Sequence, residues 1–400
     1  MKILLVDVNC KKGSTGKIVY DIFTEANKCG IEAYICYGRG KKICQEKIYK
    51  FGLDWETFIH AILTRITGLT GFFSFFSTRR LIRFTKKCKP DLVHIHEMHG
   101  YFVNIYKYIT YLKKENIPVI WTFHCDFMFT GKCGYAYECR KYLDNCGDCP
   151  RLNEYPQSFL FDRSSYMLNR KKKLLEEYEK LYIVTPSEWL ADRVRESYLG
   201  NKNIVVIHNG IDISNFKYYG ECNTLKNRLG IQSTDKVCLA VAPEIMTNPR
   251  KGGHWIMRLA VMLPEYKFIM VGAVNENVGH PDNVMIIKRT NDQQELAEYY
   301  SIADVFVICS DMENYPTTCL EAQCCGTQIC GFDVGGTKET AIFSNDNFVE
   351  YGQIEALKEI IVRIINEKDK TKQSNSLKAK NLLSKEIMAE QYIDLYNKVI

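Results

Sequence analysis

The stretch DVFVICSDMENYPTTCLEAQCCGTQICGFDVGG, from Asp304 to Gly336, decides the fold. Val305 to Cys309 is an apolar run of strand length that stops at Ser310-Asp311, and a polar loop then gives way at Pro316-Thr317-Thr318 to a helix rich in small residues. A second apolar run, Gln328 to Phe332, precedes Gly335-Gly336. Strand, loop, helix and strand make a βαβ unit, and in parallel α/β sheets ligands gather at the carboxyl ends of strands, where a helix N-terminus offers unpaired N–H groups to anions. The segment Asp311 to Thr318 is the expected phosphate loop.

Two carboxylates mark it. Glu313 lies in the loop and Glu321 about a turn into the helix, a spacing that lets one segment hold a diphosphate between two acceptors for sugar hydroxyls. Thr318-x-x-Glu321 also reads as a capping box, whose Glu satisfies only a helix-start N–H. The stretch resembles glycosyltransferase family 4, retaining enzymes that use nucleotide sugars and carry a Glu-x7-Glu motif, and Gly326-Thr327 and Gly335-Gly336 match it as well. The resemblance implies that Glu313 lies by the donor sugar, that Asn314, Tyr315, Pro316, Thr317 and Thr318 wrap sugar and diphosphate, and that Glu321 binds the ribose hydroxyls.

A chain of 400 residues exceeds one ordinary domain, and 46% hydrophobic with 25% charged residues is a globular composition. The net charge of +6 is mild, and no nucleic-acid partner is expected. Seventeen cysteines would suit a secreted disulfide protein, but Met1 to Val6 starts a strand directly without a signal-peptide pattern, so a cytoplasmic chain with reduced thiols is expected. No apolar run has the length of a membrane span.

Lys2 to Val8 reads as a buried strand, followed by a glycine-containing loop up to Gly16 and a helix from about Lys17. Walker A is rejected, because Lys11 and Ile18 stand where that motif needs Gly and Ser or Thr; the resemblance instead places Gly16 in a donor-binding loop on a cleft floor. Phe72, Phe73, Phe75 and Phe76 precede Arg79, Arg80, Arg83, Lys86 and Lys87, a pattern that suits either a membrane surface or a core helix with a solvated basic face. His94 and His96 share a strand face near His99, but His-Glu-Met-His is one residue short of the zinc protease motif, and no metal is expected there. His124 ends the strand Val119 to Phe123, where it can bond a substrate hydroxyl, and the resemblance makes it the active-site histidine.

Cys133, Cys139, Cys146 and Cys149 end in Cys-x2-Cys with Gly147 inside the knuckle, a set able to give four thiolates to one structural zinc. The segment resembles a subset of family 4 acting in capsular, colanic-acid-type and O-antigen polysaccharide assembly. In the second half, Arg250 and Lys251 precede a helix; Lys251-Gly252 matches the family's phosphate lysine, while Pro243 stands where its usual Arg belongs, with Arg250 as a substitute. Strand ends near Gly272 and Arg289-Thr290-Asn291 are expected to cup the base.

The resemblance implies a GT-B fold: α/β, with two doubly wound Rossmann-like domains facing a central cleft. The domains expected are 1–207 for acceptor, with a cysteine-rich insertion at about 130–150, 208–384 for nucleotide sugar, and a helix at 385–400 returning to the first. The activity implied is transfer from a nucleotide-sugar donor to a lipid-linked oligosaccharide acceptor. Asp-x-Asp occurs nowhere, so catalysis without a metal or other cofactor is expected. The alternatives are a non-catalytic carbohydrate or nucleotide-sugar binder on the same scaffold, and a sugar-phosphate epimerase, which would not be expected to combine the Glu pair with the cysteine knuckle.

Overall fold

A computed structural model describes residues 1–274, 279–290, 292–367 and 372–400. Asn291, and residues 368–371 of the polar segment Glu367 to Ser376, lie outside the described residues. The chain forms two compact units, Met1–His208 with Met388–Ile400, and Asn209–Ile387.

The first unit holds seven strands: β1 (Lys2–Asp7), β2 (Glu32–Tyr37), β3 (Ile48–Lys50), β4 (Leu92–Ile95), β5 (Val119–Thr122), β6 (Leu181–Thr185) and β7 (Asn203–Val206). All neighbours pair in parallel, in the order β3-β2-β1-β4-β5-β6-β7. Alternation along β1 explains why both faces are covered: Leu4 and Val6 enter one apolar cluster, Ile3 and Leu5 the other. The C-terminal helix Lys385–Val399 packs Met388, Tyr392, Leu395 and Tyr396 into the second of these clusters. The first helix starts earlier than its sequence suggests, at Gly13 rather than Lys17, because Lys12 is extended and the glycine-containing stretch forms the first turn.

The second unit holds β8 (Lys236–Val241), β9 (Tyr266–Ala273), β10 (Val284–Lys288), β11 (Val305–Ile308), β12 (Gln328–Phe332) and β13 (Phe348–Val349). Their order is β10-β9-β8-β11-β12-β13, again parallel. In each sheet the chain winds outward from a central pair, β1 with β4 and β8 with β11, and such a switch in winding direction opens a crevice at the strands' carboxyl ends. Among the described residues no helix is long and apolar enough to cross a membrane.

The four phenylalanines near residue 74 do not share one face. Phe72 packs on Tyr106 with ring centroids 4.1 Å apart and Phe73 meets His60, whereas Phe75 and Phe76, in the first turn of the helix Phe75–Cys88, are exposed. The αL residue Ser74 between the two pairs turns the chain and separates them.

Candidate functional site

In the first unit the crevice between β1 and β4 collects Asp7, His96, Glu97 and His99, and β5 adds His124 and Cys125. His94 is taken up by the scaffold, bonded to Tyr396 (2.7 Å) and Thr122 (2.8 Å). His96 instead pairs its Nδ1 with Nε2 of His124 at 3.0 Å, and its own Nε2 is buried without a partner. Burial pushes His124 down to about 4, so its ring is neutral near pH 7 and can donate through one nitrogen while accepting at the other. Gly16 lies in the first turn of the helix after β1, its carbonyl accepting the Lys11 N–H at 3.0 Å.

Asp7 is fully buried and accepts the backbone N–H of Glu97 at 3.0 Å. Burial raises its carboxyl to about 7 against the opposing backbone N–H donors. Cys125 lies 3.4 Å from Nε2 of His99 and 3.6 Å from a Glu97 oxygen, and Glu97 contacts His99 directly. Among the described residues this is the only set of three His, Cys, Asp or Glu donors gathered within 4.8 Å, and of the three nearby histidines it includes His99 alone, since His94 bonds Tyr396 and His96 pairs with His124. Tyr155 supports it, its hydroxyl 3.0 Å from Nδ1 of His99.

In the second unit Glu313 follows β11, and the short helical turn Pro249–Lys251 presents two cations to it. Lys251 Nζ lies 2.6 Å and Arg250 NH1 3.5 Å from the same carboxylate oxygen, and Arg250 also donates to the Met312 carbonyl at 2.9 Å. Burial pushes the Glu313 carboxyl up, but Lys251 and Arg250 outweigh it and hold the group below its ordinary range. Gly335 explains the loop's position: it has φ +59°, and a Cβ there would stand 1.9 Å from the Glu313 carbonyl. The N–H of Gly336 donates to that carbonyl at 3.1 Å.

Asn314 and Tyr315 are buried in the loop, and Pro316 caps the helix Thr317–Cys324, whose first turn carries the half-buried Thr317 and Thr318. Thr318 is thus already helical and Pro316 has no N–H for a glutamate to accept, so the capping box does not form. Glu321 is buried on this helix and its carboxylate accepts the Tyr300 hydroxyl at 3.0 Å.

The cysteine-rich segment is mostly loop, anchored on the core of the first unit by Ala136 and Tyr142. Lys171, buried beneath it, donates to the carbonyls of Phe127, Thr130 (3.0 Å) and Gly131 (3.3 Å), and Lys132 donates to those of Arg151 (2.7 Å) and Glu154 (2.9 Å). Cys133 and Cys149 are hydrogen-bonded, and Cys146 acts electrostatically with Cys133, Cys139 and Cys149. The four thiols share one neighbourhood, although no three of them lie within 4.8 Å of one another.

Comparison with known families gives two matches in tandem. Residues 16–215 match "Glycosyltransferase Family 4" and residues 225–381 match "Glycosyl transferases group 1". The chain belongs to glycosyltransferase family 4. As a family 4 glycosyltransferase it is similar over its whole length, at 21% identity, to the putative colanic acid biosynthesis glycosyl transferase WcaC of Escherichia coli K12, all of which the match also covers. Its fold is that of GT-B enzymes: sucrose-phosphate synthase from Thermosynechococcus elongatus superposes with TM-score 0.69 at 16% identity, covering 100% of this chain and 98% of that one. HepE of Anabaena, solved in complex with UDP-glucose, gives 0.65 at 15% identity with 100% of both chains covered.

Both strand-end clusters include partners that no local pattern announces. Tyr300 reaches Glu321 from a neighbouring helix, and Tyr155 reaches His99 from 56 residues away. Asp7 had one available signal, an acid closing an otherwise apolar strand.

Proposed function

We propose that this family 4 glycosyltransferase moves a sugar, with retention of anomeric configuration, from a nucleotide-sugar donor to a hydroxyl of a lipid-linked oligosaccharide in bacterial surface-polysaccharide synthesis. The meeting of Lys251 and Arg250 with Glu313 at the end of β11 carries this reading. Two cations at a helix-flanked strand end suit a diphosphate, whose growing charge they offset as the nucleotide leaves. The first N–H groups of the helix Thr317–Cys324 add to that field, so the charge work needs no metal. Arg250 takes the part of the Arg that Pro243 displaces, because its guanidinium serves the same carboxylate as Lys251.

Glu313 lies by the donor sugar, with Asn314 to Thr318 around sugar and diphosphate, and Glu321 accepts from the ribose hydroxyls while Tyr300 orients it. His124, neutral and held by His96, positions a substrate hydroxyl, with Gly16 in the neighbouring loop. The UDP-glucose complex of HepE supports a nucleotide-sugar donor, and the colanic acid name of the Escherichia coli relative supports a surface-polysaccharide product. A lipid-linked acceptor is met at the inner face of the cell membrane, so the enzyme works as a cytoplasmic, peripheral protein. Cys133, Cys139, Cys146 and Cys149, which act on one another electrostatically, would hold a structural zinc once drawn together, fixing a loop with little regular structure.

Incubation with a panel of sugar nucleotides, with and without a lipid-linked acceptor, tests the reading. Nucleotide release stimulated by acceptor is expected. Donor binding without release in either condition would instead make the chain a non-catalytic binder.

A further inference from the structure

The helix Asp54–Thr67 is built inside out. Its buried side chains are polar, Glu56, Thr57, His60 and Thr64, while Trp55, Phe58, Ile59, Ile62 and Ile66 are exposed, with Phe58 at 68%. A surface helix of a globular protein turns the opposite faces inward and outward. Specific bonds fix this orientation. The Glu56 carboxylate accepts the N–H groups of Phe76 (2.8 Å) and Ser77 (2.7 Å), capping the start of the next helix. His60 accepts the Gly71 N–H at Nε2 (3.1 Å), so its Nδ1 carries the proton and donates to Ser74 at 2.7 Å, whose hydroxyl donates on to the Tyr101 carbonyl. Rotating the helix to hide its apolar stripe would break the bonds of Glu56 and His60.

The exposed apolar surface continues at both ends of the helix. At one end the Trp55 ring lies 5.9 Å from that of Phe76, which is exposed together with Phe75. At the other, Phe159 donates its N–H to the Arg65 carbonyl at 2.7 Å, bringing up the exposed run Phe159, Leu160 and Phe161. Cations flank it: a shallow open depression is lined by Leu53, Trp55 and Phe76 together with Arg79, Arg80 and Arg83. Among the described residues no carboxylate pairs with Arg79 or Arg83, and Lys86 and Lys87 extend the basic side of the helix Phe75–Cys88.

We propose that this surface inserts into an anionic lipid leaflet, with the stripe from Trp55 to Ile66 entering the acyl boundary and Arg79, Arg83, Lys86 and Lys87 meeting lipid phosphates. Charge complementarity selects this occupant. Aromatic rings beside unpaired guanidiniums match a headgroup layer over hydrocarbon, whereas a two-fold pairing of this face with a second copy would set its cations against themselves. The proposal deepens the reading of a membrane-borne acceptor, but it stands on the inverted helix rather than on catalysis.

Co-sedimentation with phosphatidylcholine vesicles, with and without phosphatidylglycerol, tests it on the full chain. Wild type is expected to bind the anionic vesicles, more weakly as salt rises, with a blue shift of emission that Trp55→Phe removes. Phe58→Ser/Ile62→Ser and Arg79→Glu/Arg83→Glu alter exposed side chains, should keep the wild-type melting curve, and should each lose about tenfold or more in binding. Failure of wild type to bind, wild-type binding by both variants, or a lipid-free dimer that Phe58→Ser/Ile62→Ser dissociates would each overturn the proposal. Donor hydrolysis without vesicles is scored separately, so vesicle binding without hydrolysis still supports this surface and counts against the catalytic reading alone.

Discussion

Lys251 holds its ammonium 2.6 Å from the carboxylate of Glu313, 62 residues further along the chain, and Arg250 approaches the same oxygen. The pair joins the turn before the helix Gly253–Met262 to the loop after β11, and it gives one carboxylate two partners that a diphosphate would also attract. Whichever group holds the cations sets how donor binding and turnover divide.

Glu313→Gln removes the negative charge but keeps the shape, so donor affinity should hold or rise while turnover falls by about 10²-fold. Lys251→Met should instead weaken donor binding by about 1.5–3 kcal/mol, the range for a charge-assisted hydrogen bond. Calorimetric titration of both variants beside steady-state rates separates them. Equal loss of affinity in both would remove the distinction between a sugar-side carboxylate and a phosphate-side lysine.

Glu321 and Tyr300 give a second division of labour. Glu321→Ala should cost roughly 1.5–3 kcal/mol of nucleotide affinity, and Tyr300→Phe, which leaves the carboxylate in place without its orienting hydroxyl, should cost about 1 kcal/mol or less. Nucleoside diphosphate titrations measure both. A Glu321→Ala protein that binds normally and only melts earlier would leave Glu321 a scaffold residue.

The βαβ unit around Glu313 was legible because each of its parts is local: apolar runs, a proline at a helix start and paired glycines. Strand ends proved right within a residue there, with the Val305 run stopping at Ile308. Resemblance supplied roles that the residues alone left open, as between a ribose ligand and a capping box at Glu321. What the sequence hid was long-range or rotational. No spacing reveals that Lys171 plugs carbonyls from Phe127 to Gly131, or that His60 and Glu56 turn a helix so that its phenylalanine and isoleucines face outward. The aromatic run 72–76 fits a membrane surface and a core helix equally well as sequence, because close spacing does not put its members on one face, and Ser74 divides it.

Asp7 should give the first unit a pH signature. Its folded carboxyl is raised to about 7, so it retains a proton that the unfolded chain releases near 4, and its contribution to stability is full below pH 4 and is lost as pH rises to 7. Asp7→Asn should therefore gain in melting temperature relative to wild type on going from pH 5 to pH 8. Paired melting curves across that range check it; a difference independent of pH would show that Asp7 is charged throughout.

One zinc per chain is expected in protein purified without added metal. Cys146→Ser or a strong chelator should release it and lower the melting temperature, since thiolate ligation fixes a loop held otherwise by lysine–carbonyl bonds. Elemental analysis near zero in folded, active protein would exclude the metal.

The stereochemistry of donor cleavage tests the central claim most directly. Sugar nucleotides of defined anomeric configuration, followed by proton NMR in the first minutes of slow hydrolysis, should yield nucleoside diphosphate and a free sugar whose initial anomer is that of the donor, at a rate that Glu313→Gln depresses. An inverted initial anomer would contradict the retaining assignment, and no nucleotide release from any donor, with or without acceptor, would contradict the glycosyltransferase mechanism built on Glu313 and Lys251.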